Sequence, residues 1–507
     1  MDAERTPVIA AVGQAIERNE IVDAVELAAR ASQAALDQAA DLRRRIQRVS
    51  MISVVFSPVS ARPASELVER LGLKEVEVEA TTAGGNLPQW MVTRAARDIA
   101  EGRLDATLIA GAEATRSLRA GDPDADFMRT HAIDGDEAAA DPVIGPPITG
   151  MMGDPELAIG LVRPTELYPL FENALAHQAG RSFEQQRAHL GPLMARFSQV
   201  AAGHPFAWFR EALSAEAIST VSETNRLIAE PYPKQMNAFP NVDQAAAVVV
   251  TSLATARSLG LDDHCCFVWS GATNTEPTTT ARPDLSEAPA MRAASSAALE
   301  AAGIGADDLA LIDLYSCFPV AVEVGAAALG IELDDPRGLT VTGGLPFFGG
   351  PGNNYSMHAI ATIAERLPEM GGLAYVGANG GLLSKHSIGV YGSEPPPRGF
   401  TAADTRTQQA GIDATALPTA TPADGVDGPA RVVASTVVYQ RDGSVSDAPV
   451  VATLDDGRRV AARADESFRS SLAGISLIGA RVRVSGDPLT YVIDTIDGVD
   501  RLGQEEE

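Results

Sequence analysis

Residues 81–114, TTAGGNLPQWMVTRAARDIAEGRLDATLIAGAEA, limit the possible folds more than any other stretch of the chain. Gly84, Gly85 and Asn86 make a turn, and Pro88 falls in the first helical turn, where its missing N–H leaves nothing unsatisfied. Met91, Val92, Ala95, Ala96, Ile99 and Ala100 then recur at helical spacing, so the predicted helix is apolar over much of its surface. After Gly102 comes a short apolar run, residues 106–110, of the kind buried on both faces of a parallel sheet. A glycine turn entering a buried helix leaves bare N–H groups and a positive dipole end beside open space, which suits an oxyanion or a phosphate.

The pattern returns over residues 349–381, GGPGNNYSMHAIATIAERLPEMGGLAYVGANGG. Ile363-Ala364-Glu365 echoes Ile99-Ala100-Glu101, and the strand after each helix ends in Gly-Ala. Either the echo is chance in an alanine-rich chain, or a βα half is duplicated and two helix N-termini face one cleft. Upstream, Pro7–Ile16, residues 49–56 and residues 75–79 read as strands. Asp23 caps a helix to about Ala39, residues 61–71 form another, and the series predicts a mostly parallel sheet.

These residues resemble the thiolase superfamily. Ile99-Ala100-Glu101-Gly102, the following strand and Ala110-Gly111-Ala112-Glu113 are similar to the thiolase stretch running from the nucleophile helix to Ala-Gly-Gly-x-Glu. Residues 237–252, NAFPNVDQAAAVVVTS, resemble the segment that closes the first half of a thiolase. Residues 311–318 (LIDLYSCF) stand where thiolases carry Asn-Glu-Ala-Phe, residues 342–356 where they carry Gly-Gly-x-x-x-x-Gly-His-Pro, and residues 373–381 where they carry Cys-x-Gly-Gly-Gly. The resemblance covers roughly residues 5–400 and implies an α/β fold. That fold is a duplicated thiolase fold, αβαβα layers with mixed five-stranded sheets. Its implied parts are residues 1–120 with 231–262, an inserted loop domain over 121–230, and a second half over 263–400.

The chemistry of that family does not carry over. The nucleophilic Cys falls on Gly85, the His of Gly-His-Pro on Gly350, the Cys of the final loop on Gly377, and Asn-Glu on Tyr315-Ser316. Thiolysis and Claisen condensation need a thiolate, a base and a proton donor. The chain resembles the branch called thiolase-like proteins, type 1, relatives of the sterol-carrier-type thiolases. The resemblance implies an acyl-coenzyme A ligand of lipid or sterol metabolism handled without thiolysis, and no tightly bound cofactor or metal. A retro-aldol lyase using Tyr315 and Tyr355 as acid and base is the alternative, and a non-catalytic scaffold a further one.

Site candidates follow from these positions. His358, one turn into the second helix, is a candidate base as well as an ordinary packed histidine, and His386 beside Lys385 is a candidate phosphate contact. Asn86, Ser316, Asn353, Asn354 and Asn379 can hydrogen-bond an acyl oxygen without titrating. Arg187 and Arg196 of the inserted helices, with the aromatic corner over residues 204–209, are candidates for holding coenzyme A. Trp90 stands where it would narrow the acyl end of the tunnel.

A net charge of −27, with only Lys74, Lys234 and Lys385 among the lysines, argues against general nucleic-acid or membrane-surface binding. Three cysteines in 507 residues make no disulfide framework, and no apolar run reaches the ~18 residues of a membrane span, so a cytoplasmic protein is expected. Residues 122–154, rich in Asp, Pro and Gly, read as a surface loop, and residues 401–428 as a linker. Beyond it the period becomes two: residues 431–439, 450–454, 459–464, 480–484 and 491–496 are five short strands, predicting an all-β barrel of the oligonucleotide-binding type over 429–507. That segment carries 9 Arg against 13 Asp plus Glu, so docking a protein partner or acting as a lid is expected before nucleic-acid binding. Monomer and homodimer are both open.

Overall fold

The computed structural model describes residues 3–123, 140–147 and 151–495. Most of the loop expected over 122–154 therefore lies outside the described residues. The first half runs β1 (Pro7–Ile16), α1 (Ala24–Gln38), β2 (Arg48–Met51), α2 (Pro63–Leu71), β3 (Glu77–Thr81), α3 (Leu87–Ala100), β4 (Ala106–Ala114), α4 (Thr115–Gly121) and β5 (Val143–Ile144). The inserted elements are α5 (Asp154–Ala158), α6 (Pro164–Gln178), α7 (Phe183–Gly203), α8 (Ala215–Ser219), β6 (Leu227–Ala229) and β7 (Tyr232–Pro233). Then come β8 (Asp243–Ser252) and α9 (Leu253–Ser258), which close the first half. The second half holds β9 (Cys266–Thr275), α10 (Pro289–Ala302), β10 (Leu309–Leu314), α11 (Pro319–Leu329), α12 (Tyr355–Met370), β11 (Leu373–Gly380) and β12 (Lys385–Gly392).

Local chemistry sets many of these bounds. The Asp23 carboxylate accepts the Glu26 N–H at 2.7 Å and starts α1, as expected from the sequence. Ser182 and Gln185 make a reciprocal capping box that starts α7. β2 is shorter than the run 49–56 suggested, for a physical reason. The buried Glu113 carboxylate takes the N–H groups of Val55 and Phe56 at 2.7 and 3.1 Å, with the Ser57 hydroxyl at 2.7 Å, which draws that backbone out of the ladder.

The strands join in the order β10-β11-β12-β9-β1-β8-β4-β2-β3-β5. Each half supplies one side of this sheet, and the halves meet where Val8 and Ile9 of β1 pair antiparallel with Phe267 and Cys266 of β9. β8 shows how one strand serves two layers. Ala246, Val248 and Val250 face a core shared with α3 and α12, while Ala245, Ala247 and Val249 face α1 and α2. Helices α3 and α12, the two that follow glycine turns, thus form the central layer between the two sheet halves. The α/β layering implied by the thiolase resemblance is present, and the two related helices lie side by side at its centre.

Residues 401–428 form an ordered strap: β13 (Thr401–Ala402) pairs with β9, and α13 (Arg406–Asp413) places Gln409 on the backbone of Thr275. The C-terminal strands are β14 (Gly428–Ser435), β15 (Val438–Tyr439), β16 (Val445–Asp447), β17 (Val450–Leu454), β18 (Arg459–Ala464), β19 (Arg481–Ser485) and β20 (Thr490–Thr495). Five of them close a barrel in the order β14-β17-β18-β20-β19, with β18 and β20 parallel, which is the predicted barrel type. Its attachment to the body is specific. Arg463 donates to the carbonyls of Ile159 and Gly160 at 2.6 and 2.8 Å and pairs with Glu166 and Asp447. Asn173 of α6 donates to both Ser435 and Glu230 carbonyls at 2.9 Å.

Arg463→Ala strips two half-buried carboxylates of their cation and is expected to destabilise the chain by about 3 kcal/mol. Equilibrium urea denaturation of the full chain checks this, and an unchanged midpoint would show that the barrel is held by apolar contact alone.

Candidate functional site

The site is built where the first glycine turn meets the strand ends of the second half. Gly85, which the sequence resemblance matched to the thiolase nucleophile, has its backbone outside the left-handed region, so glycine is not required there by φ. Contact excludes a side chain. A Cβ on Gly85 would collide with the Tyr315 hydroxyl and lie 2.6 Å from the Asn379 carbonyl oxygen. Tyr315 therefore fills the volume that a cysteine would need.

Tyr355, the second tyrosine, packs edge-on against Tyr315 with ring centroids 5.4 Å apart. Its hydroxyl shares a 2.6 Å hydrogen bond with Thr342. Burial pushes both phenols above their ordinary value, so each is a neutral hydroxyl, able to donate a proton and not poised to take one. Ser316 is buried, its hydroxyl against Gly344. Gly350 and Gly377 differ from Gly85: a Cβ on Gly350 would meet atoms no nearer than 3.4 Å, and one on Gly377 would sit 3.0 Å from the Tyr375 ring.

Each asparagine donates through its NH₂ group, while the buried Oδ1 atoms of Asn86, Asn354 and Asn379 have no donor among the described residues. Asn353 accepts the Gly84 N–H at 3.0 Å and donates to the Ser53 carbonyl at 2.9 Å, joining the two glycine turns directly. Asn354 donates to the Gly111 carbonyl at 2.6 Å. Asn86 donates to the Ser387 hydroxyl at 3.2 Å, and Asn379 to the Tyr168 hydroxyl at 3.0 Å. A buried amide left unpaired costs roughly 1–3 kcal/mol, so these bonds fix the turns against each other.

The charged candidates lie elsewhere. His358 is buried in α12 with Nδ1 2.8 Å from Gln14 Oε1, and burial pulls its imidazole down to about 3, leaving it neutral. His386 is likewise buried and pulled down to about 3, first by burial and then by Arg282, with Nε2 3.8 Å from a Glu276 carboxylate oxygen. Arg187 pairs with Glu230 at 2.6 Å next to the barrel, and Arg196 is exposed on α7. Trp90 is half-buried against the central core.

Aromatic rings fill what remains of the cleft. Phe348 packs against Tyr355, His358 and His204, and Tyr168 stacks on Phe318 with centroids 4.4 Å apart. Beside Tyr315 and Gly377 there is a cavity of about 10 Å³, against the several hundred of an ordinary ligand pocket. Tyr168 is the residue that sequence reasoning missed. Its hydroxyl accepts the Leu383 N–H at 3.1 Å as well as the Asn379 amide, so one α6 side chain pins the final glycine loop. It was visible only as an aromatic in a helical pattern.

No protein-family model and no curated protein matches the chain. Among solved structures, a monomeric SCP2-thiolase like protein type 1 from Mycobacterium smegmatis is 33% identical, with a TM-score of 0.82, over 97% of this chain and 99% of that one. An Ltp2-ChsH2(DUF35) aldolase (19% identity, TM-score 0.58) matches over 77% of this chain and 98% of that one. Human mitochondrial 3-ketoacyl-CoA thiolase (15% identity, TM-score 0.57) does so over 77% and 99%. At those identities the last two share the fold alone.

Gly85→Cys is expected to destabilise the protein by about 1–3 kcal/mol, the usual cost of overpacking. In a double-mutant cycle with Tyr315→Ala, which removes the clash with the phenol and leaves that with the Asn379 carbonyl, the two changes should couple favourably by at least about 1 kcal/mol. Additive effects in urea denaturation would mean that Tyr315 is not what excludes the side chain.

Proposed function

Since the chain belongs to the SCP2-thiolase-like proteins of type 1, we propose that it engages an acyl-coenzyme A without thiolysis or Claisen condensation. One observation carries this reading: the Tyr315 hydroxyl fills the space beside Gly85 where a nucleophile would stand. Covalent acyl transfer needs a nucleophile and a base within reach of it. His358 and His386, the histidines nearest in sequence to the glycine turns, are neutral, buried and held by Gln14 or close to Glu276.

Binding on this reading is weak. Arg187 is engaged by Glu230, while Arg210 donates to the Ala202 and Pro205 carbonyls. Exposed charge contacts contribute roughly 1 kcal/mol or less each. A dissociation constant for coenzyme A of about 0.1 mM or poorer is expected, weakening further with salt.

The lyase alternative rests on the Tyr315–Tyr355 pair. Its weakness is the base: burial holds both phenols protonated, which favours the non-catalytic reading. Purified protein with acetoacetyl-CoA and CoA is expected to show no thiolysis; turnover near 1 per second, ordinary for an enzyme, would overturn the proposal. Cleavage of a β-hydroxyacyl-CoA that is lost in the Tyr315→Phe, Tyr355→Phe double variant would put the lyase in its place.

A further inference from the structure

Outside the cleft, two buried carboxylates from different parts of the fold meet. Glu172 of α6 is fully buried and Glu323 of α11 is 6% exposed. Gln186 of α7 donates to both. Its orientation is fixed, because Arg181 donates to Gln186 Oε1 at 2.7 Å and so turns the NH₂ group toward the carboxylates. The Tyr232 hydroxyl donates to the other Glu172 oxygen. His189 Nε2 lies 3.5 Å from Glu323 Oε1 at the rim, its side chain 37% exposed. Among the described residues, Arg181, His189 and Tyr232 are the other charged or titratable groups facing the pair.

Glu323 Oε2 has no donor among the described residues. Two negative charges in an apolar interface repel, and one orphaned oxygen adds a desolvation cost. A proton held between the carboxylates removes both penalties. Glu172 also sits one turn after Tyr168 on the same face of α6, so whatever holds Glu172 holds the ring that pins the final glycine loop.

We infer that Glu172 and Glu323 share one proton that latches α6 to α11, and that losing it frees α6, with Tyr168, from the cleft. The inference does not depend on the acyl-CoA reading. Burial and the neighbouring carboxyl both raise Glu172 well above the ordinary carboxylate range. A group raised in the closed state stabilises that state fully below the ordinary carboxyl value, and the contribution is lost as pH rises through the raised value. The released proton leaves past His189 to solvent.

Hydrogen exchange by mass spectrometry on the full chain tests the latch, with rates corrected for intrinsic exchange at each pH. Between pH 5 and 8 the opening of α6 should increase at least tenfold relative to β8. Glu172→Gln, which mimics the protonated carboxyl, should abolish that rise, and Glu323→Gln should do the same. An α6 opening in the native chain that does not change with pH overturns the inference, whether or not the variants fold. So does a rise that persists in either folded variant.

Discussion

Everything at the centre of this molecule depends on how closely two backbone turns approach. The turn at Gly84–Gly85 and the turn at Gly349–Asn354 touch through Asn353, and the Ser356 hydroxyl donates to the Gly85 carbonyl at 2.9 Å. The strand end at Gly380 presses on the same place, since a Cβ there would lie 2.7 Å from the Gly85 amide nitrogen. Three backbone segments from two halves of a duplicated fold are thus packed without room for a side chain between them. Close backbone packing leaves no room beside Gly85 for a side chain of its own.

Aromatic and amide groups complete the closure. Tyr315 takes the volume beside Gly85, Phe348 and Tyr355 fill the adjoining space, and Asn353 and Asn354 bond backbone carbonyls and an N–H around the turns. Amide donors that could face a ligand in an open cleft here serve the protein itself, two on backbone carbonyls and two on side-chain hydroxyls. The inserted helices contribute through Tyr168, and the barrel contributes by bracing α6 through Asn173 and Glu166. The barrel is therefore mechanically connected to the cleft, through one helix.

The architecture was legible in the sequence because it is written in apolar spacing. β1 has the bounds that its residues suggest, both glycine turns lead into central helices, and the period-two run after residue 430 closes the barrel. The site was legible only in position. Gly85 and Tyr315 are recognisable as replacements, but nothing in a linear sequence shows that the tyrosine ring points at the glycine. Asn353 and Asn354 read as free donors because their partners, Ser53 and Gly111, are some 300 and 243 residues away. Arg187 read as an anion contact because Glu230, 43 residues on, gives no local signal. The Glu172–Glu323 pair left none either, since each glutamate alone is unremarkable on a helix.

The central claim is that Tyr315 occupies the nucleophile's place in the resting protein. A crystal structure grown near pH 6 with excess acetyl-CoA measures this directly. The account predicts the Tyr315 hydroxyl against Gly85 and no thioester beside that glycine, with any bound coenzyme A stopping outside the closed turns. A thioester carbonyl seated over Gly85, with Tyr315 swung away, would contradict it.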